Sequence, residues 1–147
     1  MLVNIFQHKE IKMLSNEDIF GAPIYAYTRA QAMADGVLID VSTMAKQAGF
    51  KSSVAVTDAV WNDFIEWTKD DTQKQTYQDT NGRLWDVLTM LRFSIAKASE
   101  TSCVFYKLHV VPRNGKTTKA KLTRLKAVID AGDNGEPVIT IMLPNED

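Results

Sequence analysis

Hydrophobic residues switch near residue 100 from the three-and-four spacing of a long helical stretch to a sustained alternation. Before it, Asn81 to Ala98 carries Leu84, Val87, Leu88, Leu91, Ile95 and Ala98 along one helical stripe. Trp85, Met90 and Phe93 widen that stripe, so the pattern predicts a central core helix with little of its surface left in water. Asn81-Gly82 is turn chemistry after the polar run Thr72 to Thr80, which predicts a helix start near Arg83. After residue 100, Cys103 to Val111 alternates, Pro112 to Lys116 supplies a turn with Asn-Gly at its tip, and Lys121 to Asp130 reads as a second strand. A further turn, Ala131 to Glu136, leads to a third apolar run, Pro137 to Leu143.

The N-terminal half is made of shorter pieces. Glu10 to Leu14 is at most a short helix, Ser15-Asn16 caps or turns into Glu17 to Phe20, and Ile24 to Tyr27 alternates as a brief strand after Pro23. Thr28 resembles an N-cap for RAQAMAD, which closes at Gly36. Val37 to Val41 has strand composition, Ser42 can cap a helix from Thr43 to Ala48, and Val54 to Val56 is another brief strand. Thr57 or Asp58 then opens a helix with Val60, Trp61, Phe64, Ile65 and Trp67 on its apolar arc. The polar segment Lys69 to Thr80 reads as a surface loop, and Tyr77 within it is a candidate ligand contact. The economical architecture is α+β: a C-terminal three-stranded antiparallel meander packed against a central helix, with short strands and helices before it. Residues 1–147 form one domain on this reading, with 1–19 as a peripheral extension.

Composition adds bounds. A chain of 147 residues, 45% hydrophobic, buries enough surface for a core without metal or disulfide staples. Cys103 is the only cysteine, which excludes an internal disulfide, and its apolar surroundings point to a small buried hydrophobe. No apolar stretch reaches the ~20 residues that span a bilayer, and the first residues lack a secretory plan, so a cytoplasmic protein with no membrane partner is expected.

The net charge of −1 hides a strong polarity. Residues 1–100 hold ten Lys/Arg and thirteen Asp/Glu, residues 101–129 hold seven Lys/Arg and no acid, and residues 130–147 hold five acids and no Lys/Arg. Lys107, Arg113, Lys116, Lys119, Lys121, Arg124 and Lys126 therefore form a cationic hairpin, with His109 beside Lys107. On its second strand Leu122, Arg124, Lys126 and Val128 share one face. Such a ribbon attracts nucleic acid or an acidic protein surface, or serves as a solvated edge that discourages aggregation. Enzymatic signals are weak. No phosphate loop, nucleophile elbow, HExxH or dinucleotide fingerprint occurs, no cofactor or metal site is expected, and two histidines lack matched partners. One short pattern, Tyr25-Ala26-Tyr27-Thr28-Arg29 followed by a helix and Gly36, is similar to the opening of ADP-ribosyl-transferring folds and implies an NAD-linked alternative.

The succession IYAYTRAQAMADGVLIDVS, AKQAGF, VAVTDAVW, TYQDTNGRLWDVLTMLR and GEPVITIMLPNED resembles a family of small bacterial proteins frequent on plasmids and other mobile elements and catalogued as a domain of unknown function. The likeness runs over about residues 20–147. It implies an accessory protein of mobile DNA. The leading expectation is a non-enzymatic protein-binding module that takes a host protein, such as a component of a defence system, through its acidic surfaces. Direct nucleic-acid binding through the hairpin 107–126 is the alternative.

Overall fold

The computed structural model describes residues 27–98 and 101–147, so the elements expected at 10–20 and nearly all of the strand expected at 24–27 lie outside the described residues. The order is α1 (Arg29–Ala34), β1 (Leu38–Asp40), α2 (Ser42–Gln47), β2 (Ser53–Thr57), α3 (Asp58–Val60, continued by a π turn Trp61–Ile65), α4 (Lys69–Lys74), α5 (Thr80–Lys97), β3 (Cys103–Val110), β4 (Lys121–Ala131) and β5 (Pro137–Met142). The fold is mixed α+β around one sheet of five strands, ordered β1-β2-β5-β4-β3. This sheet is larger than the three-stranded one expected. β4 pairs antiparallel with both β3 and β5, and β5 pairs parallel with β2 on its other side.

Alternation decides the two faces of the sheet. Val104, Tyr106, Leu108 and Val110 of β3 are buried while Phe105, Lys107 and His109 between them are exposed. The buried set joins Leu125 and Ala127 of β4, Ile139 and Ile141 of β5 and Val54 and Val56 of β2 in the main core, against Leu84, Val87, Leu88 and Leu91 of α5. Burying each such aliphatic side chain contributes about 1.5–3 kcal/mol. Tyr106 brings a hydroxyl into this core and donates it to the Val87 carbonyl at 3.1 Å. Burial pushes its phenol well above the ordinary range.

Helix α5 starts three residues earlier than expected because the Asp79 carboxylate accepts the Gly82 N–H at 2.8 Å, so Asn81-Gly82 lies inside the first turn. It is also far less buried than expected, since Trp85, Met90 and Phe93 are 41%, 37% and 62% exposed. At 100° per residue they turn away from the Leu84–Leu88–Leu91 stripe, and a single sheet covers only that stripe. The segment expected to be one loop, 69–80, contains α4. Thr68 and Asp71 form a capping box there, each side chain satisfying the other's backbone N–H.

On the outer face α1 covers the β1–β2–β5 side, with Ala32 packed on Leu38 and Ala55. Thr28 caps this helix in a capping box with Gln31, and Gly36 follows it with φ +77. Asp133, from the β4–β5 turn, accepts the N–H groups of Arg29 and Ala30 at 2.8 and 3.0 Å. The Arg29 guanidinium reaches over the sheet to the Thr140 hydroxyl at 2.7 Å and the Ile139 carbonyl at 3.0 Å. Among the described residues no helix covers the outer side of β3 and β4.

Candidate functional site

The uncovered outer side of β3 and β4 is where the fold brings the predicted basic hairpin together. Register sets Phe105 opposite Lys126, Lys107 opposite Arg124 and His109 opposite Leu122. Directly opposite side chains start about 5 Å apart, so these six form one continuous surface. The Arg124 guanidinium lies over the Phe105 ring, 4.4 Å from its centroid, while Phe105 is 45% and Leu122 59% exposed. The contact is a cation–π pair at the surface of the sheet. Two like charges directly opposite one another, Lys107 and Arg124, are unfavourable in the free protein. Among the described residues no carboxylate forms an ion pair with either.

The other predicted residues are placed differently. Lys126 lies on the same face, and its ammonium donates to the Glu146 backbone carbonyl of the C-terminal tail. Lys121 pairs with Val110 and so projects toward the opposite face, while Lys116 and Lys119 are exposed in the 111–120 connector. Arg113 leaves the ribbon altogether. Its Nε donates to Asp71 at 2.8 Å, and its Nη1 to Glu66 at 3.0 Å and the Asn62 carbonyl at 3.1 Å. Burial disfavours the charge on Asp71, but hydrogen bonds from Thr68 and Arg113 outweigh it and hold the carboxyl below its ordinary value. Gln75 fixes the same connector, donating to the carbonyls of Pro112 and Thr117, both at 2.6 Å, and accepting from Gly115 N–H at 3.0 Å. The hairpin is thus tethered to α4 at its closed end. Tyr77 stands 79% exposed between α4 and α5. Cys103 is only half-buried, at the first position of β3 on the outer face, opposite Val128.

Phe105 and Leu122 did not enter the candidate set from the residue pattern, although alternation from Lys107 and Arg124 places them on the same face. Arg83 was also missed, and no local signal marks it. Its Nε donates to the Ile65 carbonyl at 3.2 Å and its Nη1 to Gln78 and the Val111 carbonyl, with the guanidinium 4.5 Å from the Trp67 centroid. Burial and the nearby Arg113 push it down to about 10. It lines a cavity of about 200 Å³ together with Asp86 and His109. Burial raises the Asp86 carboxyl there, against the opposing pull of Arg83.

The acids, by contrast, are largely committed to the fold. Asp79 caps α5, Asp133 caps α1, Glu66 and Asp71 hold Arg113, and Asp40 accepts from the Ser42 N–H and hydroxyl. The Glu146 carboxylate accepts from the Thr57 hydroxyl at 2.8 Å and the Leu143 N–H at 2.9 Å. Among the described residues no group of three or more His, Cys, Asp or Glu is placed to hold a metal ion, and no helix is long and apolar enough to cross a membrane. Arg29, the cation of the pattern that suggested a dinucleotide, is buried at 7% exposure on Thr140 and Ile139.

Among the described residues, fold and surface together define an α+β protein with one helix-covered sheet face and a second face that is half-open, basic and aromatic. The chain belongs to the family of unknown function DUF6573, which it matches over residues 16–147. No curated protein and no solved structure gives a significant match to it.

Proposed function

We propose that this protein is a non-enzymatic binding module whose working surface is the open side of β3 and β4 and whose ligand is nucleic acid. The observation that carries this reading is the unequal commitment of charge. Seven acids, Asp70 with Lys74 included, are engaged in caps, ion pairs and tail contacts, whereas Lys107, Lys116, Lys119, Lys121 and Arg124 have no ion-pair partner among the described residues. On the open side of β3 and β4 the charge left for a partner is positive, with Lys107 and Arg124 beside the exposed Phe105 ring. The acidic surfaces favoured by the sequence are less available for a partner on this account.

The test is fluorescence anisotropy with a labelled oligonucleotide across a salt series. About four phosphate contacts predict a loss of roughly a hundredfold in affinity between about 50 and 200 mM salt. The double variant Lys107→Glu/Arg124→Glu is expected to weaken binding by more than tenfold. Salt-independent binding, or binding untouched by the two reversals, removes this reading.

A second reading is favoured by a different observation. Trp85, Met90 and Phe93 form an exposed apolar stretch on α5, of the composition found at protein interfaces. On it, the protein is an accessory factor of a mobile element that takes a host protein by this helix. A tagged pull-down with nuclease treatment separates the two: a stoichiometric partner that survives digestion and is lost in Phe93→Ser supports the second reading.

A further inference from the structure

Resting on the nucleic-acid reading, we infer that the strand bound is single, with one base stacked on the Arg124–Phe105 pair and the next lying over His109 and Leu122. Three observations carry this. First, the Arg124 guanidinium lies over the half-exposed Phe105 ring, its carbon 4.4 Å from the centroid, so a cation and an aromatic ring are already paired on the open face before any ligand arrives. Guanidinium planes and aromatic rings are the surfaces on which unpaired bases stack, and a duplex keeps those base faces covered. Second, Leu122 is 59% exposed directly opposite exposed His109, which makes a second, partly apolar spot one step along the ribbon from Arg124. Arg124 and Leu122 are about 7 Å apart along β4, and Phe105 and His109 about 13 Å apart along β3, so the two spots lie side by side rather than on top of one another. Third, Lys107 lies between them on β3 and opposite Arg124, where a phosphate linking the two nucleotides relieves the repulsion of the cation pair. A purely electrostatic grip on phosphates uses neither Phe105 nor Leu122.

The experiment compares three fluorescein-labelled 12-nucleotide probes by anisotropy: single-stranded DNA of mixed sequence, its duplex, and a strand of equal length with an abasic centre. Poly-glutamate serves as unlabelled competitor. The single strand is expected to bind about tenfold more tightly than either of the other two, and Phe105→Ala to remove that advantage without changing the salt slope. Lys107→Gln is expected to weaken all three probes and lower the slope by about one ion. Leu122→Ala, on the solvent face, gives a second stacking variant, and thermal melting of each variant establishes that it is folded. Equal binding of all three probes, with Phe105→Ala harmless, overturns the stacking inference and leaves a phosphate-binding face. No salt-dependent binding of any probe removes the underlying reading as well. Poly-glutamate displacing the strand at equal charge concentration overturns stacking in favour of an acidic protein partner.

Discussion

Two groups of cations among the described residues, which the sequence does not distinguish, are used in opposite ways. Arg29, Arg83 and Arg113 are turned into the fold, with guanidinium groups bonded to carbonyls, a hydroxyl or carboxylates between elements far apart in the chain. Lys107 and Arg124 face water opposite one another, with no acid paired to either among the described residues. The first group has the chemistry of structural pins, since each replaces a missing backbone or carboxylate partner where elements meet. The second joins no distant elements: Arg124 contacts only the neighbouring Phe105 ring, and the facing like charges carry a small electrostatic penalty.

Substitutions can break this contrast. The largest effect is expected at Arg83. Arg83→Ala leaves the Ile65 and Val111 carbonyls without their donor beneath Trp67 and opens a void, and it is expected to cost about 3 kcal/mol, read as a lower urea midpoint at unchanged m. Lys at the same site cannot make the fork and should recover less than half. A loss below about 1 kcal/mol would place Arg83 with the dispensable cations.

Arg113→Ala should cost less, about 2 kcal/mol at neutral pH, by releasing the connector from Asp71 and Glu66. The pH dependence sharpens the assignment. Because the folded Asp71 carboxyl titrates below its ordinary value of 3.8, its pairing stabilises fully above that pH and is lost as pH falls further toward the folded value. The difference in melting temperature between the natural chain and Arg113→Ala should therefore be constant near neutrality and shrink below pH 3.8. A difference independent of acid would sever Asp71 from the pin.

The smallest effect has the opposite sign. Lys107→Thr removes one of two facing like charges and adds a β-branched residue to an exposed strand, so stability should rise by a few tenths of a kcal/mol. Nucleic-acid affinity should fall in the same variant. If melting temperature drops instead, Lys107 is part of the structural group.

Much of the architecture was legible. The alternation of 103–110 and 121–131 is a property of neighbouring residues, so it survives without knowledge of the fold, and it already put Lys107 with His109 and Arg124 with Lys126. The helix α4 was legible too in Thr68-x-x-Asp71, but the polar run around it hid the capping signal. Other features had no local trace. Trp85, Met90 and Phe93 widen the apolar arc of α5, and only the presence of a single covering sheet leaves them in water. Arg113 belongs to the basic run by sequence, yet α4 and the π turn at Trp61–Ile65 bring Asp71 and Glu66 to it from forty or more residues away.

By itself, then, the sequence determined the elements that rest on neighbours: the period of most segments, the caps at Thr28 and Thr57, the turns at Gly36 and Asn114-Gly115, and the concentration of positive charge in 101–129. The tertiary structure alone decided what depends on distant contacts. These are the parallel pairing of β2 with β5, the burial of Arg29 and Arg83, and the side of the sheet that the described helices leave open. Local preferences act over a few residues of backbone, whereas burial and charge pairing depend on whichever segments the chain folds back against them.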